Sequence, residues 1–282
     1  MKTFRQALQG AGAALTAGLS PRAQTTMEGA LEEAAMLTGA VDAVQVGDES
    51  AEAMLSPLSL AVRLIAEGID PLPRLTCRDH NRIALQSDLL GLRALGVSSV
   101  LLDRGEPDSP RGKPAGKPVF DVDRRELVAM ANALNEEDWA EGEHEFIIGT
   151  SVPVAGGESE PDTQALLSLA AAGARFLQLQ PCFDAGLLKE FMQRLVDDRV
   201  TWSYSVIATL APLSSPQQAD LLLQGRPGVH IPGDVVRRLE DSRDPEQEGI
   251  GICAGLIREA VSIPGISGVH LLTTGNPEAV TA

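Results

Sequence analysis

The sequence predicts one (β/α)8 barrel, an α/β fold occupying residues 1–282 as a single domain. Three observations predict it. Eight short apolar runs with strand character recur along the chain, and amphipathic helical stretches separate them, several closed by Gly. No GxGxxG follows the first run, as an open dinucleotide-binding sheet would require; LQGAGAAL precedes that run instead. Repeated strand-then-helix units imply parallel strands joined by right-handed crossovers, and eight of them close into a barrel.

In order, the expected strands are AALTAGL (13–19), DAVQVG (42–47), LPRLTCR (72–78), SSVLLDR (98–104), EFIIGTSVP (145–153), RFLQLQP (175–181), TWSYSVIATL (201–210) and GVHLLTT (268–274). An opening helix precedes the first. Helical patterns between strands include 25–39, 81–96, 162–174 and 185–198. Two segments interrupt the alternation. Residues 104–120, rich in Gly, Pro and basic residues, form a long loop after the fourth strand. Residues 227–262 supply an extra helix and then a long one before the last strand. Both follow strand C-terminal ends, the face on which barrels of this class carry their sites.

Composition narrows the chemistry. Hydrophobic residues are 44% of the chain but aromatics only 3%, so the core is built from Leu, Val, Ala and Ile and offers little surface for stacking bases. A net charge of −16 argues against nucleic-acid or anionic-membrane partners, whose phosphates need Lys and Arg. Cys77, Cys182 and Cys253 are dispersed and read as reduced thiols of a cytoplasmic protein. The four histidines have no ligand spacing, so no metal site is expected. The N-terminal 21 residues are interrupted by Gly and read as helix and strand, not as a secretory leader. No apolar run reaches the ~18 residues that a spanning helix requires.

The stretch LTCRDHNRIALQSDLLGLRALGVSSVLLDRGEP (75–107), with AGARFLQLQPCFD (172–184), GVHIPGDVVRRLE (228–240), GIGICAGLIREA (249–260) and GISGVHLLTTGNPE (265–278), resembles the methylenetetrahydrofolate reductase family, including the reductase domains fused to homocysteine methyltransferases. The resemblance implies an oxidoreductase that interconverts methylene- and methyl-tetrahydrofolate through FAD, with NAD(P)H and tetrahydrofolate as substrates. It implies cofactor contacts from Thr76, Arg104, Gly105 and Glu106, with Glu106 standing for the family's acidic residue, and a pterin contact from Gln180. A homo-oligomer is expected by the same analogy.

Departures from the family pattern are equally specific. Ala17 stands at the first-strand glutamate, and Arg74 at a histidine. The helix before AGA reads LLSLAAAGA, without the family's basic cluster. Asp48 and Glu49, after the second strand, are candidates to replace the acid, with Asp48 also near the expected substrate; Arg104, Arg111, Lys113 and Lys117 are candidates to replace the cations. Asp184 reads as a helix N-cap and His270 as a core or mouth residue. Two alternatives stay open. One is a flavin-free folate-binding or methyl-transfer component working with a methyltransferase or corrinoid subunit; the other is a structural subunit with an empty site.

Overall fold

The computed structural model describes residues 3–47, 54–106, 116–136, 145–154, 162–226 and 228–282. Its eight strands are β1 (Ala14–Gly18), β2 (Ala43–Val46), β3 (Pro71–Thr76), β4 (Ser99–Asp103), β5 (Ile147–Val152), β6 (Ala174–Leu179), β7 (Ser205–Leu210) and β8 (Ile266–Leu272). They pair in sequence order, all parallel, and β1 closes on β8. The expected (β/α)8 barrel is therefore the observed fold. The seventh strand departs most from its expected start: residues 200–202 form a 3-10 turn entered through Arg199 at φ 60°, so the extended run begins at Ser205.

Helix α1 (Phe4–Leu8) opens the chain, and α2 (Met27–Leu37), α3 (Pro57–Ala66), α4 (Arg82–Ala94), α5 (Arg124–Glu136), α6 (Thr163–Ala172) and α7 (Ala185–Asp197) follow their strands. After β7 come α8 (Pro216–Gly225), the extra α9 (Gly233–Asp241) and the long α10 (Pro245–Ser262); α11 (Pro277–Thr281) ends the chain. Their starts obey local chemistry. Thr3, Thr26, Asn81, Asp162, Asp184, Ser215 and Asp244 each accept a first-turn N–H, satisfying donors that have no helical partner.

The core has two parts. Leu85, Leu89, Leu92, Val100, Leu102, Leu127, Leu177 and Phe191 belong to the largest apolar cluster, which joins the outer strand faces to the helices. Inside the barrel lies a floor of Ala14, Ala43, Leu72, Leu101, Phe176 and Ile207, closed from below by Phe4 and Ala7 of α1. The Phe4 and Phe176 rings meet edge to face with centroids 5.1 Å apart. Gly149 is required on β5 because a Cβ there would stand 2.1 Å from the Phe176 ring.

Candidate functional site

Strand side chains alternate, so the residue two beyond each floor position faces the same lumen, one layer nearer the C-terminal mouth. That layer is polar on every strand: Thr16, Gln45, Arg74, Asp103, Ser151, Gln178, Thr209 and His270. Arg74 and Asp103, only 6% and 3% exposed, form a buried ion pair, with Arg74 Nε and Nη2 donating to Asp103 Oδ2 at 2.9 and 2.8 Å. Asp103 Oδ1 accepts from Ser151 N at 2.8 Å, Ser151 Oγ at 2.9 Å and Thr150 Oγ1 at 3.4 Å. Both carboxylate oxygens are thus occupied by the chain's own donors. Across the ring, Thr16 Oγ1 and His270 Nδ1 share a hydrogen bond of 2.9 Å.

Above the ion pair a small depression opens to solvent, lined by Arg74, Ser151, Gln178, Gln180, Thr209 and Arg226 among others. Gln180, expected from the sequence to meet a pterin, lies in this mouth, and its Nε2 donates to Ser151 Oγ at 3.3 Å. Thr76 ends β3 in register with Asp103. Gly105 is buried at φ 80°, and a Cβ there would meet Arg78 Cβ at 2.7 Å and Thr76 Cβ at 3.2 Å. Only glycine satisfies both demands, the left-handed backbone and the close packing. Glu106 is half-buried, and its carbonyl accepts from Arg78 Nε at 2.8 Å; the Arg78 guanidinium is buried and also paired with Asp79. Arg104 points away from the lumen and lies over the Phe120 ring, 5.2 Å from its centroid. Asp48, Glu49, Arg111 and Lys113 lie outside the described residues.

The rim is built from α7 and the segment before α9. Asp184 caps α7 by accepting from Leu187 N at 3.0 Å, as expected. His230 Nε2 is 3.8 Å from Asp184 Oδ2, and a backbone bridge pairs Cys182 with His230. On the β1 side, Glu33 of α2 is buried and accepts from Ser20 N (2.7 Å), Ser20 Oγ (2.6 Å) and Thr273 Oγ1 (2.8 Å). It fastens α2 to the ends of β1 and β8. Burial pushes the thiols of Cys77 and Cys182 up to about 11 and that of Cys253 to about 12, which suits packing rather than nucleophilic chemistry. Among the described residues, no group of three or more His, Cys, Asp or Glu side chains could hold a metal ion, and no helix is long and apolar enough to cross a membrane.

The model of the methylenetetrahydrofolate reductase family matches residues 4–282, nearly the whole chain. The chain belongs to the methylenetetrahydrofolate reductase family. No curated protein matches it in a direct sequence comparison. Among solved structures, a Clostridium thermocellum protein that binds two copies of 5-methyl-5,6,7,8-tetrahydrofolic acid is similar over 98% of this chain and 96% of its own, with a TM-score of 0.71 and 11% identity. Oxaloacetate acetylhydrolase (TM-score 0.57, 10% identity, 96% and 79% covered) and 2,3-dimethylmalate lyase of the PEP mutase/isocitrate lyase superfamily (0.56, 10%, 98% and 82%) share the barrel. At such identities these likenesses speak for the fold.

Against the family pattern, Ala17 proves to face outward, packed with Leu19, Val44 and Leu271 in the layer between strands and helices. The lumen positions of β1 are Ala14, Thr16 and Gly18. Arg74, at the family's histidine, enters the ion pair with Asp103. At the helix N-termini around the mouth, the described residues offer little to hold the diphosphate of FAD. The N-termini of α5, α6 and α7, where backbone N–H groups would hold phosphate, are each capped by a carboxylate, from Asp123, Asp162 and Asp184. Helix α6 has no basic residue, and Arg74 and Arg78 already engage carboxylates. Arg104 and Lys117 are exposed cations nearby.

Sequence reasoning missed Arg74's pairing role, Asp103, Ser151, Gln178 and Thr209. The signal was present as a polar residue two positions beyond an apolar one in strand after strand, but using it requires the inward phase of each strand.

Proposed function

We propose that this member of the family binds a C1-substituted tetrahydrofolate at the C-terminal mouth of the barrel. The observation that carries the reading is the convergence of Gln178, Gln180, Ser151 and Thr209 on one depression above the Arg74–Asp103 pair. A reduced pterin presents N–H donors beside a carbonyl acceptor along one edge. Amide and hydroxyl side chains match either kind of group, and a few such groups in a concave site fix orientation. The 5-methyl-tetrahydrofolic acid bound by the Clostridium thermocellum neighbour supports the ligand class. In this reading the Arg74–Asp103 pair holds Ser151 in place, and Ser151 in turn orients Gln180.

Calorimetric titration with 5-methyl-tetrahydrofolate tests it. Saturable binding is expected, weakened about tenfold in Gln180→Leu, the worth of one good hydrogen bond. Absence of binding to the unmodified protein overturns the reading.

Family membership favours a second reading, the interconversion of methylene- and methyl-tetrahydrofolate through FAD with NAD(P)H as the other substrate. The exposed cations Arg104 and Lys117 would then serve the cofactor phosphates, with Thr76 and Gly105 beside it and Glu106, Asp48 or Glu49 as the acid. An absorbance spectrum before and after incubation with FAD and desalting decides it. Retained flavin bands support the oxidoreductase. A flat spectrum with intact folate binding leaves a flavin-free component that hands its methyl group to, or takes it from, a methyltransferase or corrinoid subunit. In either reading the protein acts in the cytoplasm, as a homo-oligomer.

A further inference from the structure

Two oxygens of the polar ring are buried without a hydrogen-bond partner: Thr209 Oγ1 on β7 and Gln45 Oε1 on β2, in residues only 3% and 5% exposed. Buried polar atoms in folded proteins are nearly always partnered, and an orphan of this kind costs stability. Valine has the shape of threonine and would fill the Thr209 position with no such cost. Thr209 stands two residues beyond the floor residue Ile207, and it lines the same depression as Gln178 and Gln180. Thr209 therefore forms part of the wall that a polar group entering the mouth would meet.

We propose that Thr209 is a specificity-determining contact that recognises the 2-amino-4-oxopyrimidine edge of a pterin, with Gln45 as a second contact from across the ring. This rests on the reading of the mouth as a folate site. The Gln45 oxygen accepts only, so it calls for an N–H on the ligand; the Thr209 hydroxyl donates to a carbonyl or accepts from a second N–H. A ligand carrying both N–H and C=O groups offers a partner of the right kind to each. The pterin then enters first, and its p-aminobenzoylglutamate tail runs out past the rim, where Arg226 lines the opening.

Thr209→Val and Thr209→Ser test the assignment through two separate readouts, the melting temperature of the ligand-free protein and the affinity for two probes. The probes are 5-methyl-tetrahydrofolate and 6-methyltetrahydropterin, which has the pyrimidine edge but no tail. Thr209→Val is expected to leave the melting temperature unchanged or raise it, since an orphan has been removed, while weakening both probes about tenfold. Thr209→Ser, which keeps the hydroxyl, is expected to retain binding. A Thr209→Val protein that melts lower and binds both probes as before would overturn the assignment, because the hydroxyl would then serve the fold alone. If that variant does not fold, Gln45→Met is read by the same two measures. Failure of the unmodified protein to bind either probe would instead remove the folate reading itself; binding of 5-methyl-tetrahydrofolate with unaltered affinity in the variants removes only the role of Thr209.

Discussion

Asp103 illustrates how one residue's neighbours limit what it can do. Taking two charges out of water is expensive, and the pair with Arg74 repays that only because Ser151 and Thr150 complete the carboxylate's bonding. Removing one partner leaves the other charge buried alone. Asp103→Ala and Arg74→Ala should each cost about 3–5 kcal/mol, whereas the double replacement Arg74→Met with Asp103→Leu should cost less than either. Urea unfolding of the three variants checks this; additive losses would mean that the two side chains act independently. At this scale the sequence was only partly legible. The motif Arg104-Gly105-Glu106 drew attention to the end of the fourth strand, but strand phase turns Arg104 outward onto Phe120 and makes its neighbour Asp103 the lumen carboxylate. The same ambiguity of phase made Ala17 look like a lost catalytic position, although its side chain packs against the helix layer. A one-residue change of phase moves a side chain from one face of a strand to the other, and nothing in a single apolar run decides it.

Helix α1 shows the corresponding balance for an element. It is short, and its capping box at Thr3 could not hold it alone; Phe4 and Ala7 plug the barrel floor, and Phe4 N donates to Asp70 Oδ2 at 2.8 Å. Burial first, and the nearby Asp42 charge, push the Asp70 carboxyl up from 3.8 to about 6 despite that hydrogen bond. The folded chain therefore holds the proton more tightly than the unfolded one. The stability contributed by Asp70 is full below pH 3.8 and is lost as the pH rises through about 6. Asp70→Asn keeps an oxygen to accept from Phe4 N and has no charge to bury. It should raise stability above that window by on the order of 1–2 kcal/mol, with the gain vanishing in acid. Unfolding free energies of both proteins across this pH range test it, and a gain that persisted in acid would exclude the titration as its cause. Elements themselves were the most legible level. All eight strands stand where the alternation put them, because parallel strands buried on both faces need continuous apolar runs. The start of β7 was misjudged, since the Arg199 turn, with its guanidinium 5.0 Å from the Trp202 ring centroid, has no signature in apolar periodicity.

For the whole molecule the governing quantity is a net charge of −16, which surrounds a mouth that is proposed to take an anionic ligand. The glutamate tail of a folate carries carboxylates, so the long-range field of the chain repels it on approach. Arg226 at the rim acts only at short range, and the Arg74 charge is balanced by Asp103. Salt screens the distant charges more than the near ones, with a Debye length falling from about 30 Å at 0.01 M to about 8 Å at 0.15 M. The association rate of 5-methyl-tetrahydrofolate should therefore rise several-fold between those ionic strengths, the reverse of a site that draws its ligand in electrostatically. The dissociation rate, set by short contacts in the mouth, should change little. Stopped-flow measurement of both rates at constant pH tests this, and 6-methyltetrahydropterin, which lacks the carboxylates, serves as the control whose association should be nearly independent of salt. An association rate for the folate that falls with salt would mean that the local cations outweigh the field of the chain. The mouth would then be an attractive anion site, which would strengthen the case for a phosphate-bearing cofactor beside the folate.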